Sequence, residues 1–179
     1  MSRGLGIAGL LLALAIPGCR RAPAASPEAR AKLDLLEAIL ASHNDNDPRL
    51  DSAFVDLTPE AKSLFRAKYA ALARERRNER GTIVYLLGKN LRAPEDWAFL
   101  REVVAEPPCL SLADCGQRSG GPAEPGDGVT LAYPQLVALT QAARAASPEG
   151  RGVLETARAS KDAKVAAKAA ALSGSLDPR

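Results

Sequence analysis

Few residues in this 179-residue chain could do chemistry, and they are scattered. There are three cysteines, Cys19, Cys109 and Cys115, and one histidine, His43. A thiol can be acylated, oxidised to a disulfide or used as a metal ligand, and its neighbours and compartment decide which. No Cys-x-x-Cys motif is present, which argues against thiol–disulfide enzymology. A zinc site would need more ligands than Cys109, Cys115 and a distant His43. His43 precedes Asn44 and Asp45 at an expected helix end, where a cation complements the helix dipole. No paired nucleophile or carboxylate motif accompanies it. Asn44, Asp45, Asn46, Asp47 and Asp51 offer the oxygen ligands that calcium takes. An EF-hand loop begun at Asp45 would, however, put Arg49 and Leu50 where oxygen and glycine are required, so a solvated turn is expected. Arg74, Arg76, Arg77 and Arg80 interleave with Glu75 and Glu79, a run of net charge only +2, and read as a solvated helix end with local ion pairs. Trp97 and Phe99 cannot share one helical face. A core place for both is expected, and if one is exposed it marks a partner site. Trp97, Arg74 and Arg77 are the candidates for such a surface. No catalytic residue, metal or cofactor is expected.

The thiol with the most telling neighbours is Cys19. It follows the uncharged run Gly4 to Ile16 and precedes Arg20 and Arg21, while Arg3 supplies a positive start. A secretory signal has an apolar stretch of about 7–15 residues, and a spanning helix needs about 20. Residues 1–18 therefore read as a signal peptide. Gly4-Leu5-Gly6-Ile7-Ala8-Gly9 formally matches a dinucleotide fingerprint, but no strand precedes it and the segment is removed with the signal. Ile16-Pro17-Gly18-Cys19 resembles the lipobox of bacterial lipoproteins, with an aliphatic residue at minus three and a small residue at minus one. Pro17 departs from the usual residue at minus two. The resemblance implies cleavage before Cys19, acylation of its thiol and a bilayer as first partner. Two or three acyl chains hold stably, since each buried methylene contributes about 0.8 kcal/mol. Arg20, rather than an acid, after the cysteine resembles the outer-membrane address of such proteins.

With Cys19 acylated, Cys109 and Cys115 remain, and an even remainder in an exported protein favours a disulfide, with free thiols as the alternative. Closing so short a loop contributes about 2–3 kcal/mol in the chain-entropy view. About 160 residues follow the signal, enough for one domain with a real core. The net charge of +3 gives no basis for nucleic-acid binding. Few aromatic residues and abundant Ala point to small-residue helix packing, an all-α class.

The elements that must carry these residues are legible as repeated starts. Ser26-Pro27-Glu28, Thr58-Pro59-Glu60 and Ser147-Pro148-Glu149 each combine an N-cap, a proline at the first helical position and an acid in the first turn. The first helix carries Leu33, Leu36, Ile39 and Leu40. A short helical turn is expected within Leu50 to Val55. The helix from Thr58 is expected to run into the arginine run and break at Gly81. A further helix spans Thr82 to Leu91, with a strand at Thr82 to Leu87 as the alternative, because Val84 and Tyr85 lie off its apolar face. Pro94 opens the next helix and Pro107-Pro108 ends it. Residues 107–130 read as a long loop, ordered around the cysteines and mobile at Ser119 to Gly128. Leu131 to Ala146 is helical, with Leu136, Val137 and Leu139 apolar. The helix after Ser147 is weakened by Gly150 and Gly152, and a last Ala-rich helix runs to Leu172. The expected organisation is a signal at 1–18, a tether at 19–26, one domain of about six short helices at 27–173 and a disordered tail at 174–179.

Arg80 to Val104 and Gly152 to Leu172 resemble HEAT-like repeats, which stack helix pairs of about 40–47 residues. An irregular helical bundle gives the same pattern. The expectation is a monomeric, membrane-tethered adaptor that binds a protein partner. Two alternatives are an envelope enzyme or enzyme accessory acting on cell-wall material, which needs convergent carboxylates in a deep pocket, and a small-ligand carrier, which needs a large apolar cavity.

Overall fold

The computed structural model describes residues 25–118 and 126–176. Residues 1–24, which include the expected signal peptide, Cys19 and its basic neighbours, residues 119–125 and residues 177–179 lie outside the described residues. Within them the chain is all-helical, an irregular bundle of nine helices: α1 (Pro27–Ser42), α2 (Arg49–Ser52), α3 (Pro59–Ala71), α4 (Arg77–Gly88), α5 (Pro94–Ala105), α6 (Asp127–Leu131), α7 (Tyr133–Arg144), α8 (Pro148–Arg158) and α9 (Ala163–Leu176). The three Ser/Thr-Pro-Glu starts form as expected. Ser26, Thr58 and Ser147 accept hydrogen bonds from the N–H groups of Ala29, Ala61 and Gly150, each filling a vacancy in the first turn.

Several boundaries differ from expectation. The helix after Thr58 stops at Ala71, and Leu72 turns extended. Gly81 does not break the chain but lies inside α4, which is helical where a strand was the alternative. Ten of the twelve residues of α4 are buried, because it packs on several neighbours at once, and this is why its apolar residues do not keep to one stripe. Asp127 and Gly128, expected in a mobile loop, belong to α6. The last helix continues to Leu176, into the segment expected to be a disordered tail. The sequence predicts about six helices and nine form among the described residues: the turn expected within Leu50 to Val55 is α2, at Arg49–Ser52, and α6 lies where a loop was expected.

Contacts arrange the helices in two layers. One holds α3, α5 and α8, and the other α4, α7 and α9, with α1 against α3. Lys62 meets Asp96 and Tyr69 meets Glu106, so α3 and α5 run parallel. The side chain of Arg80 reaches back to Tyr69, and that of Lys62 to Asn90, so α3 and α4 run antiparallel. Gly81 faces Tyr133 and Gly88 faces Gln141, so α4 and α7 run parallel. The core between the layers includes Phe54 edge-on to Phe65 at 5.8 Å and Tyr69 edge-on to Phe99 at 5.1 Å, a favoured ring geometry.

The α4–α7 approach depends on glycine. A Cβ at Gly88 would sit 2.3 Å from Gln141 Cγ and 2.6 Å from its Cβ, which is fixed to the backbone of α7. Gly88→Ala gains about 1 kcal/mol of helix propensity. It also forces the two helices apart, at about 1–3 kcal/mol for overpacking. The expected net outcome is a loss of about 1–2 kcal/mol, read as a lower urea midpoint with unchanged slope.

A buried polar latch joins the layers just past the same end of α4. Asp96 is 3% exposed and accepts from Lys62 Nζ at 2.6 Å, Arg66 Nη1 at 3.1 Å, and the N–H groups of Arg92 and Ala93. Asn90 accepts from Leu57 N–H and donates to the carbonyls of Phe54 and Leu86. Lys62 completes the set by donating to the Asn90 carbonyl. Every buried charge here has a partner, as a low-dielectric interior demands.

Candidate functional site

Of the arginine run, Arg76 keeps the expected exposed place and local ion pair, with Glu79 at 2.6 Å, but Arg77 and Arg80 are not solvated. Arg77 is 1% exposed and Arg80 4%, and their partners lie far along the chain. Arg80 donates to the carbonyls of Tyr69 and Leu72, both at 3.1 Å, and to Glu106 Oε1. Its guanidinium lies 3.9 Å above the Tyr69 ring, and the Tyr69 hydroxyl donates to the same carboxylate at 2.9 Å. Burial, followed by the Glu106 charge, pushes the Tyr69 hydroxyl well above its ordinary range. Arg77 donates to Gln135 Oε1 of α7 and to the Arg74 carbonyl, and burial draws its guanidinium down from its usual value. Arg74 is half-buried and donates to the Pro107 carbonyl at 2.6 Å. The partner surface expected at Trp97, Arg74 and Arg77 is therefore corrected. Trp97 is 9% exposed and packs in the core, and the two arginines are spent on internal contacts.

Cys109 and Cys115 form the disulfide, and both are buried. The Cys115 N–H donates to Glu75 Oε1 at 2.7 Å, fastening the small loop onto the segment between α3 and α4. That bond holds the Glu75 carboxyl below the usual carboxylate range. Fixed in this way, the loop presents Leu112, 50% exposed, to one end of a groove.

The groove consists of three adjoining depressions along α4 and α7. The first, about 240 Å³, is walled by His43, Asp45, Glu75, Glu79, Thr82 and Leu112. His43, in the left-handed region at φ 52°, places its Nδ1 3.3 Å from Glu79. Burial raises the Glu79 carboxyl, but hydrogen bonds from Arg76 and the backbone, with the charges of Arg76 and His43, bring it below its usual range. Neither glutamate in this depression is thus poised to give up a proton near neutral pH, which is what a general acid there would need. The second depression, about 260 Å³, shares Asp45 and Thr82 with the first and adds Asp47, Asp51, Tyr85 and Tyr133. Asp47 is held down to about 2 by its hydrogen bond from Arg49. Asp51 accepts from the Tyr85 hydroxyl at 2.7 Å and from Lys89 at 2.9 Å, which lower its carboxyl in that order. The third, about 410 Å³, shares Tyr85 and Tyr133 with the second and continues over Val129, Leu136, Val137, Thr140, Arg144 and Lys168. Shared lining residues make the three neighbours in a row, each sharing a wall with the next.

No known family, curated protein or solved structure matches the chain.

The acidic turn expected to be solvated is in part a groove wall, with Asp47 buried against Arg49. Among the described residues no group of three or more His, Cys, Asp or Glu side chains could hold a metal ion, and no helix is long and apolar enough to cross a membrane. The groove residues Tyr85, Tyr133, Val129, Arg144 and Lys168 were missed from the sequence. One signal existed: Tyr85 lies off the apolar face of its helix, and in the structure that is the side turned to the groove.

Proposed function

We propose that the protein is a lipid-anchored helical adaptor of the bacterial envelope that seats an extended segment of a partner protein along α4 and α7. The observation that carries this reading is the row of three adjoining depressions that share Asp45, Thr82, Tyr85 and Tyr133 as walls. An open, elongated path suits an extended chain better than a compact metabolite, which is usually held in a cleft that encloses most of its surface. Alternation of antiparallel helices between two layers is also the construction of HEAT-like repeats, whose stacked pairs create extended binding surfaces. The lipobox-like Ile16-Pro17-Gly18-Cys19 supports acyl anchoring, and Arg20 supports an outer-membrane address.

Two experiments test the two halves of the reading. Cys19→Ala is expected to move the protein from membrane to soluble fractions and to leave its signal uncleaved by the lipoprotein route. A variant that stays in the membrane and matures as the wild type does removes the anchor. For the adaptor, a photo-reactive benzoylphenylalanine is placed at Tyr85 or Thr140 in the groove, and at Ala67 or Glu102 on exposed positions of the other layer. Discrete protein adducts from the groove positions alone are expected in intact cells. Equal adduct patterns from both layers, or none from the groove, overturn it.

A further inference from the structure

The third depression differs from the other two in chemistry. Val129, Leu136, Val137 and the rings of Tyr85 and Tyr133 give it apolar walls, and Val129 is half exposed. Arg144 from α7 and Lys168 from α9 stand at its edge, both exposed. Among the described residues neither cation has an ion-pair partner, whereas the cations beside the second depression do: Arg49 pairs with Asp47 at 2.6 Å and Lys89 with Asp51 at 2.9 Å. A third cation, Lys164, lies along the same side with its chain against Gly128 of α6. The groove is thus charge-asymmetric. It carries carboxylates around Asp45, where the first and second depressions meet, and at its far end cations with no ion-pair partner among the described residues beside apolar walls.

Resting on the adaptor reading, we infer that this end of the groove recognises an extended peptide segment in which apolar side chains are followed by carboxylate side chains. The apolar residues lie over Val137 and Tyr133 and leave water. The carboxylates reach Arg144 and Lys168, which stand on different helices and so fix the segment's direction as well as its charge. Arg144 and Lys168 are exposed, so each contact is individually weak and the discrimination comes from the two acting together.

The test uses the full mature chain and three fluorescent synthetic peptides of one apolar sequence ending in two Glu, two Gln or two Lys residues. Anisotropy is expected to show the Glu peptide binding about five- to tenfold more tightly than the Gln peptide, with the Lys peptide weakest. The preference is expected to shrink between about 0.05 and 0.5 M salt, since exposed charges are screened. Arg144→Glu combined with Lys168→Glu is expected to reverse the order of the Glu and Lys peptides while the thermal unfolding curve stays as in the wild type. Equal binding of the Glu and Gln peptides, or an order unchanged in the double variant, overturns the inference. Decanoate is a separate arm: if it binds and no peptide does, the trough holds an acyl carboxylate and the peptide assignment falls. Groove crosslinks without a Glu preference sink this inference alone. Absence of groove crosslinks sinks the adaptor reading beneath it.

Discussion

Asp96→Ala is expected to destabilise the fold by about 3–5 kcal/mol, the cost of leaving a buried charge uncompensated. The charge left behind is Lys62, whose side chain is 5% exposed and whose carboxylate partner is Asp96. The substitution also strips acceptors from the N–H groups of Arg92 and Ala93 at the start of α5, where Asp96 supplies the side-chain acceptor that Ala93 lacks. Asp96→Asn keeps an acceptor of the same shape and is expected to cost less, which separates the hydrogen bonds from the charge. Urea unfolding with unchanged slope reads both. The same site gives a pH dependence. Burial raises the Asp96 carboxyl, but the hydrogen bonds from Lys62, Ala93 and Arg92, with the Lys62 charge, outweigh it and hold it below its ordinary value of 3.8. A group whose folded-state value is depressed stabilises above its unfolded value and loses that contribution as pH falls through the folded one. The wild type is therefore expected to lose stability below about pH 4 more steeply than Asp96→Asn does. Parallel acid limbs for the two proteins would show that Asp96 is not the titrating group.

Glu106→Ala carries the second large effect, about 2–4 kcal/mol, for a related reason with a different geometry. Its single oxygen Oε1 receives both Arg80 and the Tyr69 hydroxyl, so truncation orphans two donors at once. Arg80 retains two backbone carbonyls and the Tyr69 ring, which softens the loss. A double-mutant cycle of Glu106→Ala with Arg80→Met is expected to show a coupling of about 1–3 kcal/mol, because the second change removes the charge that the first left exposed to the interior. Additive losses would mean that the two side chains act independently.

These two sites mark where the sequence was readable and where it was not. The helix starts at Ser26, Thr58 and Ser147 were legible because a cap and the N–H it receives lie three residues apart, and each forms. The disulfide was legible from the pairing of two cysteines once a third was set aside. Arg77 and Arg80 were not, because the groups that make their burial tolerable are distant in sequence: Gln135 lies 58 residues away and Glu106 lies 26 away. Read locally, such a run is charged and therefore solvent-facing. Gly81 misled for the same reason. A glycine between a charged run and an apolar one reads as a break, yet it is there because the Tyr133 ring of α7 occupies the space a side chain would take. The groove escaped notice since its residues belong to five separate segments and none is unusual alone.

The entry point of the chain has a mechanical consequence. Ser26 caps α1 and donates to Glu60, so a pull arriving from the N-terminal side is applied at the tip of α1 and directed along its axis. Because α1 and α3 lie side by side with their starts together, that pull acts in shear. Ala29, Leu36, Ile39 and Leu40 must then slip together rather than peel one by one. The far end of α1 is His43, a wall of the first depression. In the anchored reading proposed above, tension on the tether and the wall of the first depression meet at the two ends of one helix.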